Sequence, residues 1–298
     1  MTWLAWRVHG GKIRFAAFLA GLMAALLVAS RVVLSSGASQ DMKIGTTTAV
    51  LSILTLVIVG PALLGMFLGA PLVATEIESQ THRLAWTQSV SRRRWLLVHL
   101  SLLLGGSVAA MAVAGGALYW WLQSVAGLQT AGAEAPFQPG IFDAVAIVPA
   151  AYTAFAVALG AALGALTRRT LLAMFLVLLV FTAVRVGVAA GLRPAYEQPL
   201  RTITPLVSTQ SKGQPPGAPP GAYVVGRKVV DAAGQDQRFG VDAVTCRTPA
   251  DCANYRLATD YQPADRFWAF QAVEAGIYVA LGVLLLGLTY RWVVRGVT

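Results

Sequence analysis

The chain has 298 residues, 56% of them hydrophobic and only 12% charged, about half the charged share of a soluble domain. A mean hydropathy of +0.64 and recurring apolar runs of roughly eighteen residues or more exclude a soluble globular fold and indicate an all-α polytopic membrane protein. The formal net charge of +10 would point to nucleic acid in a soluble chain, but here positive charge gathered on one membrane side accounts for it.

The first apolar run, 14–34, has a basic leader but no small-x-small cleavage site, so it reads as a span and not as a signal peptide. Five more follow at 48–73, 95–122, 142–166, 170–192 and 267–290, which makes six. Each is long enough to cross about 30 Å of hydrocarbon at about 1.5 Å per residue. Pro61 falls inside the second and is expected to kink it. Tyr119, Trp120 and Trp121 close the third span, and Phe267 and Trp268 open the sixth. Aromatic side chains favour the interface, so these mark membrane boundaries.

Orientation follows from Lys and Arg. Eleven gather on one side: Arg7, Lys12 and Arg14; Arg83 and Arg92 to Arg94; Arg168 and Arg169; Arg291 and Arg295. The short connections on the other side hold only Arg31 and Lys43. The positive-inside rule therefore places both termini in the cytoplasm. Three regions result: 1–192 with the first five spans, an extracytoplasmic segment at 193–266, and 267–298 with the last span and a tail.

The outer segment carries the Pro- and Gly-rich spacer QPPGAPPGAY, 214–223. The runs YVVGRKVVDAAGQ and RFGVDAV after it are β-branched and broken by Gly, which predicts a small β-hairpin. Cys246 and Cys252, the two cysteines of the chain, follow in CRTPADC. An oxidising outer compartment favours a disulfide between them over two free thiols, and with no His nearby a metal site is disfavoured.

The densest polar run is ATEIESQTHRLAWTQSVSRRRW, 74–95, between the second and third spans. It contains neither Gly nor Pro, and Thr75 and Glu78 have capping-box spacing. One reading is a solvated loop ending in a basic stop signal that meets anionic lipid head groups. The other is a short helix that docks on a cytoplasmic partner, with Leu84 and Trp86 as apolar anchors. The chain lacks a G-x-x-x-x-G-K-[ST] phosphate loop, an H-E-x-x-H pair and a G-x-S-x-G elbow. His9, His82 and His99 are scattered, so nothing here is equipped to hydrolyse a nucleotide and the chain reads as a non-enzyme.

The run GAPLVATEIESQTHRLAWTQSVSRRRW, 69–95, resembles the cytoplasmic loop after the second span in permease subunits of the type-two ABC exporter family, especially the group common in actinobacterial genomes. Gln80 stands where Gly is more usual. PADRFWAFQAVEAGIYVAL, 263–281, resembles the start of that group's last span, and TWLAWRVHGGKIRF, 2–15, its leading amphipathic helix. The resemblance implies a bacterial plasma-membrane permease that dimerises with itself or a paralogue above two separate ATP-binding subunits. ATP and Mg would belong to those partners, and this chain would hold no cofactor. It also implies that the 74–95 loop is the coupling helix, with Glu76, Glu78, Thr81, His82, Arg83, Leu84, Trp86 and Gln88 as its contact residues. The longer outer segment departs from the short re-entrant hairpin of familiar members.

Two ions fall inside spans, Arg185 in the fifth and Glu274 in the sixth. A lone ion in hydrocarbon costs at least about 2.5–3.5 kcal/mol, so each is expected to face the bundle interior and the two to pair. They would line a gate or pathway, or form an inter-helix bridge. Gly65 with Gly69, Gly160 with Gly164 and Gly187 with Gly191 have small-x-x-x-small spacing, suited to close helix packing or a dimer interface. The rival to an exporter permease is a non-transporting sensor or anchor whose outer segment binds a ligand. A proton-driven transporter is disfavoured because such proteins carry several intramembrane acids.

Overall fold

In a computed structural model of the chain, the described residues are Gly11, 21–78, 92–125, 137–138, 140–205, 218–231, 235–236 and 255–295. Five stretches among them are long and apolar enough to cross a bilayer: Gln40–Thr75, Leu96–Val125, Val148–Thr167, Thr170–Ala195 and Ala264–Val294. They correspond to the second through sixth expected spans. The described part of the first is a shorter apolar helix, α1, Gly21–Ser35. Residues 12–20, and the expected amphipathic helix apart from Gly11, lie outside the described residues.

Helix α2, Gln40–Leu64, starts eight residues before the expected boundary at 48. The polar run Gly45–Thr48 reads as a loop in sequence, but the hydroxyls of Thr46, Thr47 and Thr48 each donate to the carbonyl four residues back, at 2.7, 3.0 and 3.0 Å. Those bonds satisfy the hydroxyls within the helix, and Ser39 caps its first turn by accepting from the Met42 amide. After Pro61 the span widens into a π turn, Gly65–Gly69, and then continues as α3, Ala70–Glu78. Helix α4 is Arg92–Val125.

The fourth span is the axis of the bundle. Its helix α5, Val148–Thr167, is 72% buried over its apolar window, against 22–28% for the other four. Its sequence is rich in Ala and Gly, which lets neighbouring backbones approach. The closest crossing is with the π turn of the second span. A methyl group on Gly160 would lie 2.4 Å from the Gly65 carbonyl oxygen, and one on Gly69 would lie 2.6 Å from the Val157 carbonyl oxygen. Gly164 meets the Ala70 carbonyl oxygen in the same way, at 2.4 Å. Two of the three small-residue pairs are therefore used against each other within one chain, and not at a dimer interface. Gly187 and Gly191 have open space beside them.

The start of the fourth span is later than 142. Residues 140–147 form turns, and Ala146 takes a left-handed φ of 59°. The apolar character of Ile141–Val148 conceals this in sequence. The helix begins where Gln271 of the last span accepts from the Val148 amide at 3.1 Å and donates to the Phe142 carbonyl at 3.0 Å. That side chain serves as a cap supplied by a remote helix.

Helix α6 is Thr170–Gly187, followed by a second π turn, Val188–Leu192, and a 3-10 turn, Arg193–Ala195. The outer segment holds a three-stranded antiparallel sheet of β1 (Leu200–Pro205), β2 (Tyr223–Asp231) and β3 (Tyr255–Gln262), in the order β1-β3-β2, and after β2 the chain turns back to an antiparallel bridge between Val230 and Asp236. Only β2 was legible. Its partner strand comes from far along the chain, and 238–244, the expected second arm, lies outside the described residues. Register pairs Arg201 with Asp260, and their side chains meet at 2.7 and 3.0 Å. Cys246 and Cys252 also lie outside the described residues. The last helix, α7, is Phe267–Arg295. The two expected aromatic boundaries meet: Tyr119 stacks on Phe267 at 5.6 Å and sits edge-on to Trp268 at 5.2 Å.

Gly160→Val should destabilise the detergent-solubilised protein by about 1–3 kcal/mol through overpacking, whereas Gly187→Ala should leave it within about 0.5 kcal/mol. Thermal unfolding of the two variants checks this, and equal melting temperatures would remove the crossing as the tightest contact of the bundle.

Candidate functional site

The 74–95 loop leaves the bundle from α3. Glu78, the last residue of that helix, is exposed, yet its carboxylate is engaged. Its Oε2 accepts from the Thr170 amide at 3.1 Å and from the Thr170 hydroxyl at 2.7 Å. Thr170 opens α6, whose own N-cap residue, Arg169, provides no side-chain cap. A carboxylate at a helix N-terminus satisfies orphan amides and complements the helix dipole. Glu78 thus caps a helix 92 residues away and joins the head of the loop to the fifth span. The Thr170 bonds, with help from the Arg169 charge, hold its carboxyl below the usual glutamate value. Glu76 also lies on α3, while Thr81, His82, Arg83, Leu84, Trp86 and Gln88 lie outside the described residues.

At the other end of the bundle, near the sheet, the two expected intramembrane ions are close but do not bond to each other. Glu274 is fully buried on α7. Arg193 donates to it through Nε at 2.8 Å and Nη2 at 2.7 Å, a bidentate pair. Arg185 pairs with Asp143 at 3.1 Å and donates to the Ile58 carbonyl at 2.7 Å. Arg193 also pairs with Asp143, which closes the chain of charges. The Tyr152 hydroxyl, buried on α5, donates to Glu274 and stands 3.1 Å from Asp143. The Tyr196 hydroxyl approaches Glu274 at 3.3 Å. Arg185 lies over the Tyr152 ring at 4.9 Å and Arg193 over the Phe142 ring at 4.5 Å. The network holds two cations and two anions, so its formal charge is zero. It ties the second, fourth, fifth and sixth spans to the turn before the fourth.

The second π turn explains how both arginines reach one carboxylate. Eight residues of α-helix would leave Arg185 and Arg193 roughly 80° apart around the axis. The wider π turn between them absorbs one residue, which reduces the offset to roughly 20°. Asp143 and Arg193 are the members that sequence reasoning missed. Each stands at a predicted span boundary, where a charge needs no explanation. The recoverable signal is Arg193 directly before Pro194, at the end of an apolar run that already contains an arginine.

The residues that match a known family model, described as ABC-2 membrane transporter related, are 13–193. The chain belongs to that family. The match takes in helices α1 to α6, the Glu78–Thr170 tie and three of the four network ions, and ends before the sheet and Glu274. The ABC-2 family and the apolar helices together make the chain a multi-pass membrane protein of transporter-permease type. No curated protein and no solved structure matches it.

Two outcomes follow for this ABC-2 chain. Arg193→Ala leaves Glu274 buried without its main partner, and unfolding in detergent should show a loss of about 3–5 kcal/mol. Adding Glu274→Gln to it should recover part of that loss; additive losses would show that the two side chains are not coupled. At the loop end, the Glu78 carboxyl has a lowered value in the fold, so its stabilising bonds are complete above the ordinary value of about 4.5 and are lost as pH falls through the lower folded value. Amide-exchange protection at Thr170 should therefore drop below that pH in the native chain and stay flat with pH in Glu78→Gln.

Proposed function

We propose that this chain is the membrane-spanning permease subunit of an ATP-driven ABC exporter of the kind common in actinobacterial genomes. It sits in the bacterial plasma membrane with both termini in the cytoplasm, and works as a homodimer or heterodimer. Two copies of a separate subunit bind and hydrolyse ATP, and the 74–95 loop receives their motion. Family membership supports association with an ATP-binding subunit in general, and the lack of a phosphate loop in this chain fits a motor on another polypeptide.

The observation that carries the coupling role is the Glu78 cap on Thr170. The loop is joined through the chain to the second and third spans alone. The Glu78 bond adds the start of the fifth, so a displacement of the loop reaches a span that is not its neighbour in sequence. Trp86 and Leu84, further along the same loop, are the apolar anchors a docked ATPase would cover.

Purification of the chain from its native cells in mild detergent should bring down a near-stoichiometric subunit bearing a phosphate loop. Trp86→Ala should release that subunit. Glu78→Arg should retain some of it but abolish transport-linked ATP hydrolysis, because the reversed charge removes the tie to the fifth span. A chain that purifies alone, under conditions that preserve ABC complexes, would overturn the reading.

A further inference from the structure

Within the buried network, Glu274 is saturated as an acceptor. Its Oε1 accepts from Arg193 Nη2 at 2.7 Å and from the Tyr152 hydroxyl. Its Oε2 accepts from Arg193 Nε at 2.8 Å and from the Tyr196 hydroxyl at 3.3 Å. A carboxylate offers about four lone-pair sites, two on each oxygen. Four donors therefore fill it.

A further donor stands one turn away with nothing to bond. Tyr278 is fully buried on α7, and its hydroxyl is the one buried side-chain polar atom among the described residues that has no hydrogen-bond partner. It follows Glu274 by four residues, on the same face of the helix. Side chains on a helix lean toward its N-terminus, which carries the Tyr278 ring over the turn that holds Glu274. The ring is held edge-on to Tyr152 at 4.5 Å and to Phe155 at 5.4 Å, both on α5. Tyr152 is itself a donor to Glu274. An unpaired hydroxyl in such a setting is unfavourable, and the penalty is removed once a site on Glu274 is vacated.

Arg193 is the donor whose backbone has an alternative. Tyr152 sits in the most buried of the spans, whereas Arg193 lies between the π turn Val188–Leu192 and the 3-10 turn Arg193–Ala195. Its own amide makes the wide π-type bond, to the Val188 carbonyl. Gly187 and Gly191 have open space beside them, and Ala190 to Leu192 are exposed, so neighbours do not clamp the turn. Drawing the turn into regular α-helix would swing Arg193 by roughly 100° about the axis. Arg193 also shares Asp143 with Arg185, so Glu274 is not its sole countercharge. Beyond the turn, Arg266 bonds Glu197 at 2.9 Å and the Gln198 carbonyl at 2.8 Å, which keeps the following chain on the head of the last span and confines the change to the turn.

We propose that Tyr278 is the alternate partner of Glu274, and that the network is a two-state latch between the fifth and sixth spans. In the closed state, the one seen here, the Arg193 fork fills two sites of the carboxylate. In the open state the π turn is regular helix, Arg193 has withdrawn, and the Tyr278 hydroxyl donates to a site it leaves. Glu274 then keeps three hydroxyl donors in place of an ion pair, and each state uses a donor that the other leaves out. The device belongs to the fold and does not rest on the transport reading.

Tyr278→Phe tests this, because it removes a bond of the open state and none of the closed state. In the full chain in nanodiscs, hydrogen exchange of the Arg193 amide should slow about tenfold, since opening loses one hydrogen bond. Exchange at Thr170, at the other end of the same span, should not change. The melting temperature of Tyr278→Phe should equal or exceed that of the native chain. In an Arg193→Gln background the same substitution should instead lower it by about 2–4 °C, because there the Tyr278 hydroxyl bonds Glu274. Unchanged or faster exchange at Arg193, slowing shared equally by Thr170, or the same melting shift in both backgrounds would make Tyr278 an ordinary core tyrosine and overturn the proposal.

Discussion

The bundle is organised around charges that hydrocarbon would otherwise reject. Two arginines and two carboxylates lie among the spans, and each removes the cost of another. A single ion transferred to such a setting loses its hydration and gains little from apolar neighbours. Paired, with hydroxyls offered by Tyr152 and Tyr196 and with the Tyr152 and Phe142 rings beneath the Arg185 and Arg193 guanidinium groups, the four ions become an internal fastener. The charge-assisted hydrogen bonds between them act only at about 3 Å. Elements from the second span to the last are therefore held to one relative arrangement.

A second constraint is steric. The fourth span passes the second at carbonyl-to-glycine distance, and no side chain could stand at Gly160 or Gly65 without moving a backbone. Without a hydrophobic drive between helices in lipid, close packing of this sort is a main source of their association. The crossing buries the small face of α5 and leaves the larger apolar side chains of the surrounding spans to the membrane. Leu171, Phe175, Leu179 and Leu284 all face outward for that reason.

The fifth span connects the two ends of the molecule. Its first residue is held by Glu78 from the head of the polar loop, and its last turns carry Arg185 and Arg193 into the charge network. A rigid element fixed at both ends cannot tilt without breaking bonds at one of them. The π turn at Val188–Leu192 is the part of it that is not standard helix, and that turn sets the angular relation of the two arginines.

Much of this was legible from residue order. Apolar run length marked the second to sixth spans, because crossing hydrocarbon requires a minimum rise and excludes open backbone. Aromatic residues marked the ends that meet at Tyr119 and Phe267. Boundaries were less secure where hydroxyls or apolar turns disguise them, as at Thr46–Thr48 and at Ile141–Ala146. Glu78 was singled out from its place in a polar loop, but its partner was not, since a cap donated across 92 residues leaves no local trace.

The sequence by itself determined that the chain spans a membrane several times, that Arg185 and Glu274 must be neutralised inside it, and that its glycines allow close approach. These follow from hydrophobicity, charge and side-chain size, which are properties of residues taken one at a time. Only the tertiary structure decided the pairings: Glu274 with Arg193, Arg185 with Asp143, the glycines of the second span with those of the fourth, and β2 with a strand from far along the chain. Which groups come within 3 Å depends on helix phase, crossing angle and register, and these are set by the whole packed bundle.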